Sequence, residues 1–177
     1  MPVLKMTVSD AIIEYLEGIG IEHVFTVSGG GSIWLCDSLA RSNIKYICNH
    51  HEQACGYAAE AYARIKGLGV CIVTSGPGGT NAVSAVASAW LDHVPVLFIS
   101  GQSFLRQTIN GHPGLRQLGL QEINIVDIVR PITKYAVMVT RPQDATAMLK
   151  EAVWKCTTGR PGPVLLDIPG DIQNARI

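Results

Sequence analysis

The sequence predicts an α/β protein: a three-layer, doubly wound sheet of about six mostly parallel strands. Three observations carry that expectation. Helical and strand-like patterns alternate along the chain. Several strand-like segments, such as Pro95–Ser100 and Pro163–Pro169, are near-continuous apolar runs, as parallel strands covered on both faces are. Acid- and glycine-bearing junctions stand directly after strand-like runs, where open α/β sheets place their ligands.

Taken in order, Val8, Ala11, Ile12, Tyr15, Leu16 and Ile19 recur at helical spacing behind a candidate cap, Thr7, with Gly18 and Gly20 near the stop. His23–Val27 reads as a strand entering Ser28-Gly29-Gly30-Gly31-Ser32, and a helix follows over 33–40. Ile44–Cys48 reads as a strand, His51–Ile65 as an alanine-rich helix, Gly69–Thr74 as a strand and Thr80–Leu91 as a helix of small residues. Pro95–Ser100 is a buried strand. Residues 101–122 read as a long loop, Ile123–Val129 as a short helix and Lys134–Val139 as a strand. Pro142 opens a helix to Cys156, proline being well placed in a first turn. Pro163–Pro169 closes the sheet. Residues 1–170 form one domain on this reading, and 171–177 look like the start of a linker.

Composition narrows the function classes. Of 177 residues, 47% are apolar and only 16% charged, so partners are expected to cover part of the surface. Lys+Arg and Asp+Glu are equal at 14 each, with no basic stripe for nucleic acid. The five cysteines form no CxxC pair and suit buried free thiols in a reducing cytoplasm, with Cys48 and Cys71 inside apolar runs. The first six residues hold no apolar run of signal-peptide length, and no stretch approaches a membrane span.

Chemistry concentrates at a few junctions. Glu52 stands where a strand hands over to a helix, facing either a ligand crevice or simply the helix dipole. His51-Glu52 begins a zincin-like motif, but Cys55 and the lack of a second histidine in register argue against zinc. His50 and His51 read as a capping or surface pair. Gly76-Pro77-Gly78-Gly79 forces a rigid turn poor in side chains, against which a flat ring can lie. Ser75 lacks the G-x-S-x-G elbow of a nucleophile. Gly29-Gly30-Gly31 permits close backbone approach, without G-x-G-x-x-G spacing or a P-loop lysine. His112 lies in the long loop, Glu122 can cap the next helix, and Gln121 can point into the crevice.

Several of these motifs occur together and in order. His51-Glu52-Gln53, Ala58-Ala59-Glu60-Ala61-Tyr62-Ala63-Arg64, Thr74-Ser75-Gly76-Pro77-Gly78 with Thr80-Asn81, Leu120-Gln121-Glu122, Thr133-Lys134 and Gly159-Arg160-Pro161-Gly162-Pro163-Val164 resemble the amino-terminal, pyrimidine-binding domain of thiamine diphosphate enzymes of the acetolactate synthase and 2-keto acid decarboxylase type. The resemblance covers nearly the whole chain and implies the thiamine diphosphate-binding fold.

It implies that Glu52 is the catalytic glutamate, hydrogen-bonded to a pyrimidine nitrogen so as to favour the tautomer that activates C2. It implies that Pro77, Gly78 and Asn81 hold the pyrimidine with Glu52. Ser28, Gly29, Gly30, Gln121 and His112 would line the substrate side, and no metal ligand is expected in this chain. Mg²⁺ would be held only through a separate diphosphate-binding domain, since no Gly-Asp-Gly occurs and Gly170-Asp171-Ile172 is the nearest approach. FAD is left open. Ser28 and Leu120 stand where the family commonly has proline and phenylalanine.

The expected activity is therefore transferase or lyase chemistry on a 2-keto acid, decarboxylation with carboligation. The expected partner is a diphosphate-binding domain of the same or another chain, within a homodimer or tetramer in the cytoplasm. A simple 2-keto acid decarboxylase, its split alpha subunit, and a non-catalytic nucleotide-binding module are the alternatives.

Overall fold

The computed structural model describes residues 6–177; residues 1–5, part of the amino end read above as lacking a signal-peptide run, lie outside them. Helix α1 (Val8–Gly18) starts in a reciprocal cap. The Thr7 hydroxyl accepts from the Asp10 amide at 3.1 Å, and the Asp10 carboxylate accepts from the Thr7 amide at 3.3 Å. Such a cap contributes about 1 kcal/mol. Val8, Ile12, Ile13 and Leu16 form its buried stripe.

The chain continues as β1 (His23–Thr26), α2 (Ile33–Arg41), β2 (Lys45–Cys48), α3 (Glu52–Lys66), β3 (Gly69–Val73), α4 (Pro77–Asn81), α5 (Val83–Leu91) and β4 (Val96–Gln102). It ends with α6 (Ile125–Val129), β5 (Tyr135–Met138), α7 (Ala145–Thr157), β6 (Val164–Pro169) and α8 (Gly170–Gln173). The six strands make one sheet in the order β2-β1-β3-β4-β6-β5, and every neighbouring pair is parallel. The expected doubly wound α/β architecture is what forms.

Alternation within the strands divides the core. Val70 and Ile72 of β3, with Leu97 and Ile99 of β4, pack with Ile12, Leu35 and Leu149 on one face. Cys71, Val73 and Phe98 point to the other, against Ala59, Ala85, Val86 and Ile125. The interior strands β3, β4 and β6 are buried along their whole length, which is why they read as unbroken apolar runs.

The order of the strands decides where a ligand can sit. From β1 the chain winds outward to β2, then returns across β1 to β3 on its other side. The connections leaving β1 toward β2 and β3 toward β4 run in opposite directions and leave a crevice at the carboxyl ends of β1 and β3. Gly29–Gly31 follows the first of these strands and Gly76–Gly79 the second.

Several expectations are corrected. The strand Val96–Gln102 extends two residues into the presumed loop, because Gly101 and Gln102 pair with Ile168 and Pro169. The presumed turn Gly76–Gly79 is helical from Pro77 onward, as the start of α4. The first turn behind Pro142 is a 3-10 turn, and the α-helix starts at Ala145. Cys48 is exposed, since β2 is the sheet's outermost strand, while Cys36 is half-buried and Cys55, Cys71 and Cys156 are buried. Within residues 171–177, Ile172 and Gln173 are buried and Arg176 bridges Thr7. No helix among the described residues is long and apolar enough to cross a membrane.

Candidate functional site

Glu52 is the first residue of α3. The preceding His51 caps the helix through Nδ1, which accepts from the Gln53 amide at 3.2 Å, and His50 is exposed. Glu52 is half-buried. Its Oε2 accepts from Asn81 Nδ2 at 2.9 Å, across the gap between α3 and α4. Its Oε1 takes no hydrogen bond among the described residues and lies 3.6 Å from where a Cβ on Gly78 would stand. The amide therefore fixes the carboxylate's orientation while one oxygen stays available beside a glycine.

The two glycine-bearing loops are joined by a residue that sequence reading quoted only as part of a motif. Thr74 Oγ1 accepts from the Gly31 amide at 3.0 Å. A Cβ on Gly29 would stand 2.6 Å from Thr74 Cβ and Oγ1, and one on Gly78 would stand 2.6 Å from Thr74 Cγ2. Thr74 thus occupies the space those two glycines leave. Gly29→Ala or Gly78→Ala is accordingly expected to cost about 1–3 kcal/mol through overpacking, read as a lowered denaturation midpoint. A neutral effect would mean that Thr74 can turn away.

Gly76 is demanded twice. Its backbone is left-handed at φ +58°, and a side chain there would collide with the Gln121 carbonyl. Gln121, itself at φ +57°, is thereby brought against the Gly76–Pro77 turn. Ser28, Gly30, Pro77 and Gln121 are exposed, and Gly30 has open space where a Cβ would be. Gln173 was not anticipated: its Nε2 donates to the Gly31 carbonyl at 2.6 Å and to Ile168 O at 2.7 Å, gripping the first glycine loop from α8.

His112 stands apart. It lines a separate cleft of about 540 Å³ beside β5, with Glu122, Asn124, Asp127 and Arg130. Glu122 does not cap α6; Asn124 does, its Oδ1 accepting from the Asp127 amide at 3.2 Å. The carboxylate of Glu122 instead accepts backbone amides of the loop.

Two fully buried groups are shifted. The Cys71 thiol, in the core beside Cys55, is held well above its ordinary range by its hydrogen bond with Cys55 and by burial. Asp167, fully buried in β6, is pushed up to about 7 by burial, against the opposing hydrogen bonds from Gln102 and Ser100.

A carboxylate at a helix start, set in a glycine-lined crevice at the reversal of strand order, defines a cofactor-binding α/β domain. Residues 6–128 match the family described as thiamine pyrophosphate enzyme, N-terminal TPP binding domain, and the chain belongs to it. It is 43% identical over 175 residues to the acetolactate synthase large subunit of Corynebacterium glutamicum, covering 98% of this chain and 27% of that protein. It is 40% identical over 180 residues to the acetolactate synthase of Arthrospira platensis, covering 99% of this chain and 30% of that protein. With chloroplastic acetolactate synthase 2 of Zea mays it shares 45% over 169 residues, covering 93% of this chain and 25% of that protein. The chain thus spans 25–30% of the length of these relatives.

Proposed function

We propose that this chain is the pyrimidine-binding half of a thiamine diphosphate-dependent enzyme that decarboxylates a 2-keto acid and ligates the product to an acceptor, as an acetolactate synthase does. The observation that carries this reading is Glu52, with one carboxylate oxygen fixed by Asn81 and the other beside Gly78. The residues fit a flat, nitrogen-bearing ring. Gly76, Pro77 and Gly78 offer backbone and no bulky side chain, and Glu52 Oε1 is an acceptor awaiting a donor.

Bound there, the cofactor supplies a nucleophilic carbon and an electron sink. The chain's own part is to hold and release a proton at Glu52, to orient the ring between α4 and the Thr74 loop, and to keep water from it. Pro77, Gly78 and Asn81 serve the ring, and Ser28, Gly29, Gly30 and Gln121 border the substrate. His112 lines the neighbouring cleft beside β5.

Mg²⁺ and the diphosphate belong, on this reading, to a partner domain across the crevice, with residues 171–177 leading toward the next domain. The assembly is a homodimer or tetramer in the cytoplasm, where the buried thiols Cys55, Cys71 and Cys156 stay reduced.

The 177-residue chain alone, given thiamine diphosphate, Mg²⁺ and pyruvate, is therefore expected to release no CO₂ above the uncatalysed rate. The complete enzyme is expected to release CO₂ and form a carboligation product. Turnover by the isolated chain would remove the need for a partner domain. Failure of the complete enzyme to bind thiamine diphosphate, with binding of a nucleotide instead, would overturn the proposal.

A further inference from the structure

Glu122 is the only acidic residue in the segment 101–122, and its recorded hydrogen bonds all run to backbone. One oxygen accepts from the Ile109 amide; the other accepts from Leu118 N at 2.8 Å and Gly119 N at 3.2 Å. These donors sit on two arms of the loop, drawn together by one carboxylate. Beyond the end of β4 at Gln102 the segment contains a single 3-10 turn, Leu105–Gln107, so most of its amides have no ladder to satisfy them.

Further contacts tie this clamp to the crevice. Ser103 Oγ donates to Leu120 O at 3.0 Å, and Gln102 Nε2 donates to Ile123 O at 2.9 Å, holding both sides of Gln121-Glu122 to the end of β4. The loop's beginning is tethered to α8, where Asp171 Oδ1 accepts from Leu105 N at 2.8 Å. Between these anchors Gln121 takes its left-handed backbone, and its carbonyl meets Gly76. Leu120, next to it, is 89% exposed.

We infer that Glu122 is a positioning residue: its carboxylate fixes the 105–121 loop and so sets where Leu120 and Gln121 stand beside the Gly76–Pro77 turn. The consequence for catalysis rests on the reading that this crevice receives a 2-keto acid. A carboxylate suits the task because it only accepts, with room for three donors. An amide of the same shape turns an NH₂ group toward at least one backbone N–H.

The test uses Glu122→Gln in the complete enzyme, with Glu122→Asp as the variant that keeps the acceptor-only group on a shorter arm. In the Gln variant, amide hydrogen exchange at Ile109, Leu118 and Gly119 should quicken about tenfold or more, as loss of a charge-assisted hydrogen bond implies. Amides of β3 and β4 should keep their protection, which shows that the fold is intact. Glu122→Asp should retain part of the loop's protection.

KM for the 2-keto acid should rise about tenfold, while kcat, cofactor affinity and C2 exchange of bound cofactor stay within about twofold. Unchanged protection at the three amides would overturn the clamp. Loosened amides with an unmoved KM would overturn the positioning role. A wild-type enzyme that binds thiamine diphosphate but consumes no 2-keto acid would defeat the substrate reading, while the amide exchange would still decide the clamp.

Discussion

In the complete enzyme, Glu52→Gln is expected to slow hydrogen–deuterium exchange at C2 of bound thiamine diphosphate by about two to four orders of magnitude, the usual contribution of a positioned acid or base. The change is nearly isosteric, and Glu52 is half-buried at the crevice, so the fold should persist. Glutamine can still receive the Asn81 hydrogen bond that Glu52 Oε2 receives at 2.9 Å. It cannot hold a proton between itself and a ring nitrogen, because a neutral amide does not favour the protonated ring as a carboxylate does. Cofactor affinity should fall less than turnover, since the charged diphosphate end binds in another domain on this reading. The same substitution therefore separates two roles. Exchange at the wild-type rate would leave Glu52 as a helix-terminal acid satisfying the dipole. Loss of binding together with loss of exchange would make it chiefly a binding group.

The second large effect concerns Asp167. Its Oδ1 and Oδ2 meet Ser100 Oγ at 2.8 Å and Gln102 Nε2 at 3.0 Å, in the β4–β6 pair at the middle of the sheet. Burial holds its carboxyl up to about 7. An unfolded aspartate titrates near 3.9. Between those values the folded chain keeps a proton that the unfolded chain has released, so stability is greatest below about pH 4 in this respect and falls as pH rises toward 7. At 1.36 kcal/mol per unit, the full span is on the order of 4 kcal/mol.

Asp167→Asn mimics the neutral form. Its amide can donate to Ser100 Oγ while its carbonyl accepts from Gln102. The variant should match wild type below about pH 4 in the protection of β4 and β6 amides and exceed it increasingly up to pH 8, after correction for intrinsic exchange rates. Equal pH dependence in the two proteins would show that Asp167 is ionised in its buried site and stabilised there by its two hydrogen bonds.

What the sequence determined by itself is whatever short-range physics encodes. Unbroken apolar runs announced interior parallel strands, because a strand covered on both faces has no polar side to display. The Thr7 cap and the stripe of α1 were legible for the same reason: spacing and capping act within a few residues. Glu52 and the two glycine segments could be placed at strand ends, and their motifs identified the family.

What only the tertiary structure decided is which of these ends meet. Thr74 lies 43 residues from Gly31, and Gln173 lies 142 residues from it, yet both hold that loop. No local period carries such a pairing; it follows from the reversal of strand order between β1 and β3 and from the return of α8 to the same crevice. The resemblance puts His112 on the substrate side with Gln121, and the loop's path places it in the cleft beside β5. Cys48 looked buried within an apolar run, yet β2 is an edge strand and leaves it exposed. The role of Glu122 stayed hidden for a related reason. A carboxylate that satisfies backbone amides on two distant arms of a loop has no partner side chain to betray it in the sequence, and only the folded path of the chain brings its donors together.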